Sequence, residues 1–282
     1  MGINRIWQST YAFRKFRQKT NNLSRIYWTQ QMATDCLQNY LLSKEPEAHP
    51  VDEIGCCFDK RMYTENIADT LTWLPEYMGR NRLHLLVIYT AFLETYLKEI
   101  TFYYIASQGY ISNKSEKDKP IKLTKVGEAY SFPIIKSSTV PDMIKYASEL
   151  FDINFGKQAT EWIKIYKVRC AAAHNGGIAT PKFLQDISGM SLALNPQEYD
   201  HIGLTWDELR TAMRYADEIA ALIDSKISNY GIRILETEQV MRELKSKNAL
   251  PQKTKIWQIL HDKYSFFPIK KTDKDYFLSK FY

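Results

Sequence analysis

Long apolar runs are missing from this chain of 282 residues. None approaches the roughly 20 residues that a membrane-spanning helix needs. Arg5 and polar neighbours interrupt the start, where a signal peptide would need an apolar stretch. Cysteine is scarce as well, and the four residues show no metal-ligand spacing: Cys36, Cys56, Cys57 and Cys170. We therefore expect reduced thiols and a cytoplasmic protein with no membrane span.

Several chemical signatures are absent too. No set of His, Cys, Asp and Glu has the spacing of a metal site, so we expect no metal and no other cofactor. No Gly-rich phosphate loop follows a strand, which argues against nucleotide hydrolysis. The Gly-x-Ser-x-Gly elbow of serine hydrolases is also missing.

Basic residues are concentrated at the two ends of the chain. Six bases and no acid precede Asp35, and nine lysines against three acids follow from Lys245 onward, within a net charge of +6. Basic ends rich in aromatic residues suit RNA, through phosphate neutralisation and stacking. We predict RNA contacts for Arg14, Lys15 and Arg17. The alternative is that the aromatic residues of this first segment form a core and that the bases between them are solvated.

Apolar periodicity predicts an all-α fold, with few strand signals. Pro75 and Gly79 indicate a break before the strongest helix, and residues 131–135 a short extended piece. Residues 112–125 are expected to form a mobile loop, and residues 178–204 an irregular stretch with a small hairpin. Helices are expected over 4–43, 81–106, 141–152, 158–175, 205–230, 234–247 and 253–264. His84 lies near the start of the helix 81–106, beside two arginines, and is a further candidate for phosphate contact.

We divide the chain into three segments on this pattern. Residues 1–60 form an N-terminal helical arm, residues 61–232 a helical core, and residues 233–282 a basic helical extension. The core helices would form a bundle, with the helix 158–175 in its middle.

The most informative stretch is 166–177, which reads Tyr-Lys-Val-Arg-Cys-Ala-Ala-Ala-His-Asn-Gly-Gly. It puts Arg169 and His174 five positions apart near the end of a helix, which the two glycines end because glycine readily takes the left-handed conformation. An imidazole can move a proton near neutral pH, and a guanidinium can hold a phosphate with charge-assisted bonds. Metal-free RNA cleavage needs these two roles. The alternative is a capping histidine and a solvated arginine.

Five residues turn an α-helix by about 140° net, so Arg169 and His174 do not share a stripe. If two copies face each other around a two-fold axis, two arginines and two histidines surround one groove. We therefore expect a homodimer.

The Arg-x4-His pattern before a glycine cap, late in a helical chain, resembles the HEPN superfamily of nucleases. The resemblance covers about a dozen residues around Arg169 and His174, with the helix 81–106 as partner. It implies a metal-independent endoribonuclease in which these two residues are catalytic. It further implies products with a 2′,3′-cyclic phosphate and a 5′-hydroxyl, and a toxin or anti-phage role with a restraining partner protein, such as an antitoxin.

The resemblance also suggests supporting residues. Glu94 and Lys98 match a Glu-x3-Lys pair of some families, in which the acid orients the Arg or the His, and the alternative for them is a surface ion pair. Cys170 stands where many active members carry a polar residue, and Asn175 follows the histidine. The rival hypothesis is therefore a catalytically inactive HEPN-like dimer that binds a partner or a nucleotide, with Cys170 marking a decayed site.

Overall fold

The computed structural model describes residues 9–55, 63–108, 126–136, 139–188, 196–227, 229–264 and 270–282. Its regular elements in these ranges are all helices, and an isolated antiparallel bridge joins Ile178 to His201. The predicted all-α class is confirmed. In chain order the helices are α1 (Tyr11–Leu41), α2 (Pro50–Ile54), α3 (Ile67–Gln108), α4 (Val126–Ser131), α5 (Pro133–Lys136), α6 (Val140–Phe151), α7 (Lys157–His174), α8 (Pro181–Asp186), α9 (Trp206–Ile227), α10 (Tyr230–Ser246), α11 (Ile256–Tyr264) and α12 (Lys271–Phe281).

Local sequence signals explain several of these boundaries. At the start of α9, the Thr205 and Glu208 side chains each accept the other's backbone N–H, at 3.3 and 2.7 Å, which is the expected capping box. Thr139 caps α6 in a similar way, by accepting the N–H of Asp142 at 3.3 Å, and Pro141 lies in the first turn. None of the helices described is long and apolar enough to cross a membrane.

Three local expectations were wrong. The stretch 178–204 is not irregular throughout, because Pro181–Asp186 forms helix α8, which Thr180 caps. Helix α3 runs without interruption through Pro75 and Gly79, because the buried Leu74 and Met78 carry its packed face across the proline, which itself is exposed. Residues 131–135 are not extended: Ser131 ends α4, Phe132 forms a bend, and Pro133 begins α5, in which Ile134 is fully buried. The expected loop at 112–125 lies outside the described residues.

The chain forms two compact units, each assembled from separate stretches. Unit 1 comprises Met1–Gln18, Ala91–Thr160 and Tyr215–Tyr282, and unit 2 comprises Lys19–Thr90 and Glu161–Arg214. The division into three consecutive segments stays a prediction.

The core of unit 1 is built around aromatic side chains. Tyr96 is almost fully buried, packs on Phe16 with ring centroids 5.5 Å apart, and donates its hydroxyl proton to the carbonyl of Ala220 at 3.0 Å. A second cluster joins the last three helices through the buried residues Ile234, Val240, Met241, Ile256, Leu260, Phe277 and Phe281.

Two buried carboxyl groups hold the start of α1 in unit 1. Thr10 donates its N–H to Asp224 at 2.9 Å, and Ala12 donates its N–H to Glu236 at 3.1 Å. These are amides that a helix start leaves without intrahelical partners. Burial raises the pKa of Glu236 to about 8, although the hydrogen bond from the Ala12 N–H and the nearby Arg14 favour its charged form.

We predict that this carboxyl makes the folded protein less stable as the pH rises. The folded state holds the Glu236 proton more tightly than the unfolded chain, whose carboxyl has a pKa near the ordinary 4.5. The resulting stability is therefore complete below that ordinary value and is lost as the pH rises through about 8. Glu236→Gln keeps an acceptor for Ala12 and should flatten the melting temperature between these limits. Thermal melts across the range test this, with the exposed Glu149→Gln as control; an unchanged slope in Glu236→Gln would contradict it.

Candidate functional site

Helix α7 buries one side and leaves the motif residues at its edge and end. Within unit 2 the side chains of Trp162, Ile165, Val168 and Ala171 are buried at steps of three residues. This face fixes the rotation of the helix. Arg169 consequently lies at a half-buried edge, and His174, the last residue of the helix, is exposed to solvent.

Two glycines end the helix, as the sequence predicts. Gly176 and Gly177 have φ of +62° and +77°, a region that residues with a Cβ rarely adopt. The N–H groups of Asn175 and Gly177 both donate to the carbonyl of Ala171, at 2.9 and 3.1 Å. The chain therefore turns sharply away directly after His174.

The guanidinium of Arg169 packs on an aromatic ring and forms no ion pair with the described residues. It lies 5.4 Å from the centre of the Tyr166 ring, within cation–π range. Its Nε is buried and has no hydrogen-bond partner among the described residues. The half-buried guanidinium thus has no acidic partner among the described residues. Arg82 of unit 2 shows the contrast, because its three nitrogens donate to Tyr27, Leu204 and Gln31 at 3.0–3.1 Å.

The imidazole of His174 also has no hydrogen-bond partner within the ranges that the structure describes. Its position five residues beyond Arg169 corresponds to about 7.5 Å along the helix axis. The pair therefore borders one end of α7, with the guanidinium at its side and the imidazole at its tip.

Backbone pairing brings a distant segment to this helix end. Residues 177–179 and 199–202 run antiparallel, with Ile178 directly opposite His201. The three linking bonds, from Ile202 N–H to Gly177 C=O, from Ala179 N–H to Asp200 C=O and from Tyr199 N–H to Ala179 C=O, measure 2.7, 2.9 and 2.7 Å.

Helix α3 contacts the end of the same segment. A Cβ on Gly203 would lie 3.3 Å from the Cα of Gly79, and Leu204 donates its N–H to the carbonyl of Gly79 at 3.0 Å. A Cβ on Gly177 would lie 3.2 Å from the side chain of Leu83. The turn after the motif is thereby positioned by α3.

The other site residues named from the sequence are placed as follows. Lys98 donates to Glu94 at 2.8 Å, and both side chains are about one-third exposed and lie in unit 1. The structure thus shows the ion pair that was the alternative, and a supporting catalytic role for the two stays a prediction. Cys170 is a half-buried free thiol. Asn175 and His84 are exposed in unit 2, and the carbonyl of Asn175 accepts the N–H of Ile178 at 3.1 Å.

The three bases predicted to contact RNA all have partners within unit 1. Lys15 bonds to Glu99 at 2.7 Å, and Arg17 pairs with Asp217. Arg14 is not the surface base that its sequence context suggested: it donates to the carbonyl of Ser9 at 3.0 Å, and burial lowers its pKa. Their contact with RNA stays a prediction, and reversing the charge of Arg14 would test folding rather than binding.

The aromatic residues of α1 include core positions. Phe16 and Tyr27 are 2% exposed, so for them the alternative of a core is confirmed. Tyr27 stacks on Trp206 with ring centroids 4.7 Å apart, while Trp28 remains 46% exposed.

In comparisons with known proteins, no family model, curated protein or solved structure matches this chain. Across the described residues, no group of three or more His, Cys, Asp or Glu side chains could hold a metal ion. Cys56 and Cys57 lie outside the described residues.

Sequence reasoning missed the nearness of His201 to the motif. This histidine is 27 positions from His174 and had no partner in the sequence. The expected hairpin within 178–204 was the available signal, but its register was not determined, so it did not say which residues would return to the helix end.

We predict that Gly203→Ala loosens this helix end. The new methyl group would press on the backbone of Gly79, which cannot rotate away as a side chain can, and such overpacking destabilises by about 1–3 kcal/mol. Urea unfolding measures the loss. Gly176→Ala is the companion variant, because it has open space but a left-handed φ, and it should cost about 1–2 kcal/mol through the backbone alone. Wild-type midpoints for Gly203→Ala would contradict the close contact.

Proposed function

We propose that this protein is a metal-independent endoribonuclease of HEPN type, with Arg169 and His174 as catalytic residues. His174 would take the proton of a ribose 2′-hydroxyl or give one to the leaving oxygen. Arg169 would stabilise the charge that develops on the phosphoryl oxygens.

The observation that carries the proposal is the availability of both groups at one helix end. A half-buried guanidinium normally finds an acidic or carbonyl partner, as Arg82 does, because an unsatisfied buried donor is costly. The described residues supply none to the Nε of Arg169. A bound phosphodiester would accept charge-assisted bonds from the half-buried guanidinium, and the exposed His174 lies on the same final turns of α7.

We predict that the purified protein cuts single-stranded or loop RNA in the presence of EDTA. Mass spectrometry should show 2′,3′-cyclic phosphate and 5′-hydroxyl ends, because the attacking oxygen belongs to the RNA itself. Arg169→Ala and His174→Ala should each lower the rate by at least about a hundredfold, the usual scale for such groups. Their melting temperatures should change little, since neither side chain belongs to the apolar core.

Arg210→Ala and His261→Ala are matched controls, because both side chains are exposed and lie outside the proposed site. They should cleave at wild-type rates. A 3′-hydroxyl product, or activity that chelation abolishes, would exclude this mechanism. A folded wild-type protein that cuts no RNA would favour the rival, an inactive binding module with Cys170 at the altered position.

We predict a homodimer, because Arg169 and His174 diverge by about 140° around α7 and a second copy can supply the missing group. Sedimentation at micromolar concentration should give twice the mass of the 33.0 kDa chain. An active strict monomer would refute a site shared between two copies.

A toxin or anti-phage effector role, restrained by a partner protein, is the biological part of the proposal. It rests on the sequence resemblance. Growth arrest on expression that His174→Ala relieves would support it, and unimpaired growth with an active enzyme would count against it.

A further inference from the structure

The segment 199–202 brings a second exposed histidine to the end of α7. His201 faces Ile178 in the antiparallel bridge, and the bonds on either side of the pair run from Ile202 N–H to Gly177 C=O and from Ala179 N–H to Asp200 C=O. This pattern marks a non-hydrogen-bonded pair, in which the two Cα atoms are about 4.5 Å apart and the side chains lie on the same face.

The connection to His174 is short. Asn175 accepts the N–H of Ile178 at 3.1 Å, so residues 175–178 fold back as a turn. Three distances separate the Cα atoms of His174 and His201: one Cα step of about 3.8 Å to Asn175, a turn of at most about 7 Å to Ile178, and the paired distance of about 4.5 Å to His201. Together they limit the two Cα atoms to about 15 Å apart. Each imidazole extends several ångströms beyond its Cα, so this separation is short enough for both rings to reach one phosphodiester group.

The segment that carries His201 is held by backbone hydrogen bonds and includes a residue in an unusual conformation. Tyr199 has φ of +71° and is 70% exposed, yet its N–H is fixed on the carbonyl of Ala179 at 2.7 Å. A non-glycine residue in this region stores strain, which proteins keep where the local geometry is used. The ring of His201 is exposed and has no hydrogen-bond partner in the described part of the chain.

We propose that His201 is the second proton-transfer residue of this site and protonates the leaving oxygen of RNA. This inference rests on the proposed function and assigns the two protons of that reaction. The 2′-oxygen attacks phosphorus and forms the O2′–P bond, while its proton passes to His174. The P–O5′ bond breaks, and O5′ takes the proton of the His201 imidazolium. His174 then releases its proton to water, and His201 takes one up.

Two substrates separate this role from a structural one. The first is an ordinary oligonucleotide, whose 5′-oxygen must be protonated to leave. The second is uridine 3′-(4-nitrophenyl phosphate), whose leaving group departs as a stable anion and needs no proton. His201→Ala and His201→Asn should lose at least about a hundredfold on the oligonucleotide and stay near the wild-type rate on the ester. His174→Ala should be slow on both, and His261→Ala normal on both.

Each result decides between these roles. Wild-type rates of the His201 variants on both substrates would overturn the inference and leave the endoribonuclease proposal standing. Equal losses on both substrates, in variants with a wild-type melting temperature, would show that His201 positions the helix end and is not the leaving-group acid. A wild-type protein inert on both substrates would overturn the proposed function, and the role of His201 with it.

Discussion

Gly79 and Gly203 approach so closely that a methyl group on either would lie 3.2–3.3 Å from a backbone atom of the other. This contact lets Leu204 bond to the carbonyl of Gly79 and brings its own carbonyl to Arg82. The segment before it then reaches residues 177–179, and the end of α7 is held between that segment and α3. Side chains larger than hydrogen at the contact would separate these backbones, so the surroundings of Arg169 and His174 depend on it.

The buried charges of unit 1 show a second constraint. Asp224 and Glu236 accept N–H groups at the start of α1, and Arg14 lies close enough to favour their charged forms. Carboxyl groups removed from water need such donors, since burial alone disfavours their charge. Arg14 therefore stabilises buried carboxyl groups, and fewer N-terminal bases are accessible to a ligand than the sequence suggests.

The candidate site also differs from its surroundings in how its cationic side chain is paired. Ion pairs and hydrogen bonds satisfy Arg17, Arg82 and Lys98, while Arg169 is satisfied only by the Tyr166 ring among the described residues. A group left in this state is unfavourable in the free protein unless a ligand completes it. In the proposed nuclease that ligand is the phosphodiester of RNA, and the exposed histidines at the helix end are the groups that would move protons.

The sequence by itself determined the helices and helix ends that depend on interactions between neighbouring residues. Apolar periodicity located α6, α7 and α9, the box at Thr205 located a helix start, and Gly176–Gly177 located the end of α7, because each signal acts within a few residues. Tertiary structure decided the rest. It carried α3 through Pro75, turned Arg14 inward and placed His201 beside the motif helix, since packing and strand register join residues that are far apart in the chain and leave no local pattern.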